Sequence, residues 1–446
     1  MYIQRDIDRT LSEWKEEVRR KPLMLRGVRQ CGKTSAVRHL SESFCSYVEV
    51  NLEKQPGICR LFDGDLDIRR IVSRLEIYAE TRIEPGDTLL FIDEIQECPR
   101  AITALRYFYE EMPELHVIAA GSLLEFVLNG KTTKVDFPVG RIRSIYMYPL
   151  SFNEFLSGVG KSMLRDHLEN PDYINERNEA HNELIEAYKT FLVVGGMPEA
   201  VAAYADTGSI FACQQIHRDI IANFMDDFNK YSGTAKPETI RKVFLFAIHN
   251  ICSQTKASSA IPGLSAYLFD ECVQLLRRAG LVYPIKASPC DTMPLGSSEK
   301  ETNKKLIVFD TGVYLTECGL DTGEILDAKI FDEMNKGSVV EMSTGLEMLK
   351  YSSPYTEGTL YFWYRSGANA EVDYVIQKNS VAIPVEVKAS GKGSMQSMHS
   401  FLDTHSKTPY GLRVSLENFC EYDRIKVVPA YAMCTVILNN KQQPAN

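Results

Sequence analysis

Two groups of residues in this sequence have the types and spacing to do chemistry on phosphate. The first is the run Gly27-Val28-Arg29-Gln30-Cys31-Gly32-Lys33-Thr34, followed by Ser35, which fits the pattern GxxxxGK[ST]. Gly27 and Gly32 let the backbone turn tightly enough for its N–H groups to face an anion. Lys33 then reaches the β and γ phosphates as a mobile point charge, and the Thr34 hydroxyl offers one oxygen to Mg²⁺. Gly27 through Ser35 are therefore the expected contacts of bound ATP. Further on, Thr88-Leu-Leu-Phe-Ile-Asp-Glu is an apolar run that ends in two acids. Asp93 is expected to hold the Mg²⁺ shell, and Glu94 to orient or deprotonate an attacking water. Ser122 ends a third run, Leu115-His-Val-Ile-Ala-Ala-Gly-Ser. It is read either as a sensor of the γ-phosphate or as the N-cap of a helix starting at Leu123.

The second group lies near the C-terminus: Glu341 in a helical stretch, Asp373 in Ala370-Glu-Val-Asp-Tyr-Val-Ile, and Glu386 and Lys388 in Ala382-Ile-Pro-Val-Glu-Val-Lys. Strand alternation puts Glu386 and Lys388 on one face. Carboxylates that hold Mg²⁺ or Mn²⁺ against a scissile phosphate, with a lysine that lowers the pKa of a water, are what metal-dependent phosphodiester cleavage requires. Glu347 is the fallback for the helical acid. The competing reading is a half-buried Glu-Xaa-Lys pair on a domain that binds a partner and cuts nothing.

These residues need particular elements to position them. The phosphate loop sits between a short apolar strand, Pro22-Leu-Met-Leu, and an amphipathic stretch, Ala36-Val-Arg-His-Leu, so the local order is strand, loop, helix. An open α/β sheet binds its ligands at the carboxyl ends of the strands, where all three N-terminal motifs fall. Residues 151–235 read as helical, with Gly195-Gly196 as a sharp break and Pro198 starting the next helix. Residues 236–300 carry apolar positions at helical spacing and end in Ala-Gly-Leu-Val, like the last helix and wing of a winged helix. Arg277 and Arg278 there are candidates for phosphate contact, although Asp270 and Glu271 in the same helix favour an interdomain packing role. A polar stretch, 286–305, marks the join to a last domain over 301–446.

At 446 residues, with 44% hydrophobic and 24% charged residues, the chain has the composition of ordinary globular domains and is long enough for about three of them. No stretch approaches the roughly 20 apolar residues of a membrane span, and the start lacks a secretory apolar region, so the expected compartment is the cytoplasm with no membrane partner. The 11 cysteines show no paired zinc spacing and read as reduced thiols. Cys31, inside the phosphate loop, is expected to block ATP binding when alkylated, against the alternative of a small tolerated side chain with no regulatory role. A net charge of −9 argues against a protein that coats nucleic acid through bulk positive charge and leaves a local basic patch open.

The segments Leu-Arg-Gly-Val-Arg-Gln-Cys-Gly-Lys-Thr, Phe-Ile-Asp-Glu-Ile-Gln, Ala-Gly-Ser, Gly140-Arg141 and Pro149-Leu-Ser-Phe-Asn-Glu-Phe together resemble prokaryotic AAA-type ATPases that carry a C-terminal domain of unknown function related to restriction endonucleases. The resemblance spans nearly the whole chain. It implies an AAA-type parallel sheet over 1–150, a helical lid over 151–235 that includes the Gly-Gly-Met-Pro-Glu element, a winged-helix-like connector over 236–300 and a restriction-endonuclease-like α/β domain over 301–446. It places Arg141 as an arginine that completes a nucleotide site in cis or from a neighbouring subunit, against the alternative of a surface arginine. It also places Glu341, Asp373, Glu386 and Lys388 on the positions of PD-(D/E)XK nucleases. The implied function is an ATP-regulated enzyme that processes DNA; the alternative is a nucleotide-dependent switch that binds a protein or nucleic-acid partner without cleaving. The sequence leaves the choice between monomer and homo-oligomer open.

Overall fold

The computed structural model describes residues 2–121, 138, 140–170, 180–230, 235–319, 336–365, 370–388 and 395–438. Ser122, a candidate sensor at the sequence level, lies outside them. Near the N-terminus, five strands form one sheet in the order β2-β3-β4-β1-β5. They are β1 (Leu23–Gly27), β2 (Ser46–Asn51), β3 (Thr88–Asp93), β4 (His116–Ala120) and β5 (Arg143–Met147), and every pairing is parallel. The apolar runs of β3 and β4 are fully buried because helices cover both faces. Alternation divides the strands between two cores: Leu23, Leu25, Leu89 and Phe91 pack with Ala36, Val37 and Leu40 of the helix Lys33–Ser41, while Met24, Leu90 and Ile92 face the opposite side. The helix Ile68–Ala79 closes that opposite side with Ile68, Ile71, Val72 and Leu75, one stripe of a 3.6-residue period.

Helices follow over 152–227. Ser151 opens the first of them, Phe152–Gly158, with a reciprocal capping box to Glu154. The turn between the helices His181–Val194 and Pro198–Thr207 depends on its two glycines. Gly195 has φ of 72°, and a Cβ on Gly196 would lie 2.3 Å from the Leu150 carbonyl oxygen. That close approach lets Leu150 N–H donate to Gly196 O at 2.7 Å while Gly196 N–H donates to Asp310 Oδ2 at 2.6 Å.

In the C-terminal half one sheet runs across the expected join at 300/301. A hairpin of β7 (Val282–Ala287) and β8 (Lys300–Val308) pairs antiparallel from Val282↔Val308 onward, so a boundary at 300/301 would cut through it. β7 in turn pairs in parallel with β9 (Leu360–Tyr364). The result is one nine-stranded sheet, β13-β14-β12-β11-β10-β9-β7-β8-β6. Its remaining strands are β6 (Thr255–Lys256), β10 (Glu371–Lys378), β11 (Val381–Lys388), β12 (Gly411–Ser415), β13 (Cys420–Tyr422) and β14 (Ile425–Pro429). The polar stretch 286–305 reads as a linker in sequence, yet Lys305 within it is 1% exposed. Beside the sheet lies the helix Lys336–Lys350, whose Glu341 carbonyl accepts a hydrogen bond from Tyr374 at 2.7 Å.

Candidate nucleotide site and C-terminal carboxylate cluster

Parallel pairing brings the carboxyl ends of β1, β2 and β3 to one edge of the first sheet, with Asn51 level with Asp93. The phosphate loop leaves β1 at that edge. Gln30 has φ of 66° and Gly32 φ of 98°, and Gly32 is the N-cap of the helix Lys33–Ser41, whose positive end therefore faces the loop. Lys33 Nζ donates to the carbonyls of Gly27 and Val28 at 2.9 and 3.0 Å, which holds its ammonium over the loop. Thr34 Oγ1 donates to Asp93 Oδ2 at 3.1 Å, and Asn51 Nδ2 donates to the same oxygen at 3.2 Å. Burial raises the Asp93 carboxyl above the ordinary carboxylate range, with Glu94 adding to the shift. Glu94 follows with φ of 49° and accepts from Gln96 Nε2. A hydroxyl and a carboxylate within hydrogen-bond distance of each other are the hard oxygen donors Mg²⁺ takes, so this pair fits that ion.

Two side chains of the loop pack into the core. Val28 is buried and Cys31 is fully buried, its Sγ directed to Met147 O at 3.9 Å. The Cys31 carbonyl accepts from Arg5 Nη1 at 2.8 Å, and Arg5 is ion-paired to Glu154 at 3.0 Å, so the N-terminal segment fastens the loop from behind. Arg29 Nη1 pairs with Asp227 at 2.7 Å, tying the loop to the end of the helix Ile210–Asp227. Ser35 and Gly32 border a cavity of about 300 Å³ whose other walls include Tyr2, Ile3, Pro198 and Ala202. The sequence reading missed Asn51, Arg5, Tyr2 and Pro198 as parts of this site. Asn51 had a legible signal, a polar residue closing a strand as Asp93 does, whereas the others come from segments whose proximity depends on the tertiary fold.

Arg141 is not beside the loop of its own chain. Pairing of Leu23 with Arg143 and Gly27 with Met147 puts it beyond the amino end of β5, with roughly 13 Å of strand between it and the loop edge. There it pairs with Glu110 at 2.9 Å.

Residues 19–156 match the family model described as AAA domain. This stretch carries the parallel P-loop sheet and is similar to AAA domains. Residues 185–324 and 336–433 match two further models, each described only as a domain of unknown function (DUF8612 and DUF4143). The first of these crosses both 235/236 and 300/301, in agreement with the continuous hairpin. No curated protein matches the sequence. Among solved structures the chain is similar to the Walker-type ATPase of Pyrococcus abyssi, at 14% identity and a TM-score of 0.45 over 71% of this chain and 95% of that one. It is also similar to the Orc1 protein of Aeropyrum pernix in complex with DNA, at 12% identity and a TM-score of 0.30 over 74% and 93%. Among the described residues no helix is long and apolar enough to cross a membrane.

In the C-terminal sheet, Tyr374↔Val385 pairing sets Asp373 directly opposite Glu386. Lys388 Nζ pairs with Glu386 Oε1 at 2.8 Å, and Asp373 Oδ2 accepts from Val387 N–H at 2.8 Å. Glu341 joins this group from the helix. The fallback Glu347 does not: its Oε2 accepts from Phe152 N–H at 3.1 Å and its Oε1 from Lys350 at 3.0 Å, so it serves the interface with the N-terminal half. One member was unforeseen. Lys305 Nζ contacts Glu341 Oε1 at 2.9 Å, Asp373 Oδ1 at 3.4 Å and Glu371. Burial alone would lower the pKa of that ammonium, and Glu341, Asp373 and Glu371 outweigh it and hold it well above its ordinary value. Burial, reinforced by Asp373, pushes Glu341 up to about 8 and Glu386 up to about 7. Among the described residues no three or more His, Cys, Asp or Glu side chains are arranged to hold a metal ion. A dication among these carboxylates would lie against the Lys305 ammonium. The cluster as built does not fit the divalent metal that the nuclease resemblance implies.

Proposed function

We propose that the chain is a Mg²⁺-dependent ATPase whose nucleotide state is transmitted to its C-terminal sheet, which acts as a binding platform for a protein or nucleic-acid partner. The observation that carries the catalytic half is the Thr34–Asp93 hydrogen bond at 3.1 Å beside the Lys33 ammonium. In this reading the backbone N–H groups from Val28 to Ser35 cradle the phosphates, and Lys33 reaches the β and γ oxygens. Thr34 and Asp93 hold Mg²⁺, which when bound neutralises charge on those oxygens. Glu94 orients the attacking water, held by Gln96 in the position its left-handed backbone dictates. The cavity beside Gly32 and Ser35 receives the base, with Tyr2 and Pro198 on its walls.

Three contacts support transmission. Arg29 bridges the loop to Asp227, the Gly280 turn abuts Val28, and Arg277, one helical turn earlier, is paired with Glu357 of the C-terminal half at 2.9 Å. ATP turnover by wild type, Asp93→Asn and Glu94→Gln tests the catalytic half: both variants should lose turnover, and Glu94→Gln should still bind ATP. Wild-type turnover in Glu94→Gln would mean that another group positions the water.

A second reading, an ATP-regulated nuclease acting on DNA, is favoured by the register that sets Asp373 opposite Glu386 with Lys388 on the same face. Incubation of plasmid and linear DNA with Mg²⁺ or Mn²⁺, with and without ATP, distinguishes the two. Cleavage that disappears in Lys388→Ala establishes the nuclease, whereas no cleavage under any condition supports the platform.

A further inference from the structure

We propose that Lys305 is the resident cation of the C-terminal carboxylate cluster, its ammonium standing where a divalent metal would otherwise bind, so that the domain works without one. Lys305 lies on β8 on the same strand face as Asn303 and Ile307, both buried, and is itself 1% exposed. A lysine buried to that degree persists only when paired and hydrogen-bonded. Here the partners come from two separate elements: Glu341 from the helix Lys336–Lys350, and Glu371 and Asp373 from β10. The Phe362 ring lies 5.4 Å from the same nitrogen. An ammonium has three donors that rotate freely, so it can gather carboxylates from different directions as a metal ion does.

The neighbouring oxygens are accounted for in the same way. The second Asp373 oxygen takes the Val387 N–H, and one Glu386 oxygen takes Lys388. Glu386 Oε2 is buried without a hydrogen-bond partner. Removing the charge at position 305 would leave Glu341, Glu371 and Asp373 as hard oxygen donors without the ammonium they share, Lys388 remaining paired with Glu386. One buried side chain therefore closes this group of carboxylates.

Mn²⁺ binding, followed by electron paramagnetic resonance on the full chain without nucleotide, tests this in an Asp93→Asn background that silences the N-terminal metal donors. The result is thus independent of whether the ATPase reading holds. With Lys305 present no Mn²⁺ should bind at the cluster. Lys305→Met should acquire about one bound Mn²⁺ per chain, lost again when Asp373→Asn is added. Mn²⁺ binding by the chain that retains Lys305, abolished by Asp373→Asn, would overturn the proposal, and that arm uses a chain with an intact cluster. A folded Lys305→Met that takes no Mn²⁺ would also overturn it. Should Lys305→Met fail to fold, recovery of its circular dichroism on refolding with Mn²⁺ counts for the proposal, and failure to recover counts against it.

Discussion

Asp310→Ala should destabilise the chain by about 2–4 kcal/mol, because one carboxylate closes two buried backbone groups from different parts of the sequence. Asp310 is 2% exposed. Its Oδ2 accepts the Gly196 N–H at 2.6 Å, and its Oδ1 accepts the Val313 N–H at 3.0 Å as the N-cap of the helix Thr311–Glu317. Truncation orphans the Gly196 N–H, at about 1–3 kcal/mol for an unsatisfied buried donor, and removes a cap worth about 1 kcal/mol. For a cooperative unit of 150–250 residues the loss corresponds to a fall in Tm of about 4–16 °C. Thermal melts of wild type, Asp310→Ala and Asp310→Asn by far-UV circular dichroism measure it. Asn keeps one acceptor and should lose about half as much. A cost for Ala within about 0.5 kcal/mol, the range of an ordinary surface substitution, would refute the reasoning.

Further predictions concern pH, thiol chemistry and the far edge of the sheet. His116 is buried with Nε2 bonded to Lys15 O, and burial, aided by Arg20, lowers its pKa to about 4. The folded chain then binds fewer protons than the unfolded chain below pH about 6.5, so stability falls as pH drops from there towards 4. His116→Gln should flatten that part of a stability-versus-pH curve, and an unchanged slope would assign it to other groups. Cys31 is fully buried whereas Cys45 and Cys420 are exposed, so iodoacetamide on the native chain should modify those two, spare Cys31 and leave ATP binding intact. Mass spectrometry finding Cys31 alkylated in the native chain would contradict it. Arg141→Ala should leave ATP affinity unchanged in a subunit studied alone, as a fluorescent-nucleotide titration would check.

The phosphate loop was legible because its chemistry is local: the glycines, Lys33 and Thr34 act within one strand-loop-helix unit, and Asp93 is placed by a strand whose apolar run can only be buried. Asp373, Glu386 and Lys388 were legible for a similar reason, since alternation and antiparallel register bring them to one face. What failed depended on pairing across long stretches of sequence. The polar run 286–305 looks like a linker because its apolar residues are few, yet its end is the start of β8, held by β7. Lys305 was hidden among those charges, although its phase with Ile307 on a buried strand was a readable signal. Arg141 stands far from the loop motif in sequence, and parallel pairing of β5 with β1 sets it at the amino edge of the sheet.

The central claim, nucleotide held by the loop around Lys33, is tested most directly by the shift in Tm on adding Mg²⁺ and ATP to wild type and Lys33→Ala. At ATP about 100-fold above Kd, binding stabilises the native state by about 2.7 kcal/mol, so wild type should melt several degrees higher with nucleotide. Lys33→Ala should show no shift; an undiminished shift in that variant would contradict the account.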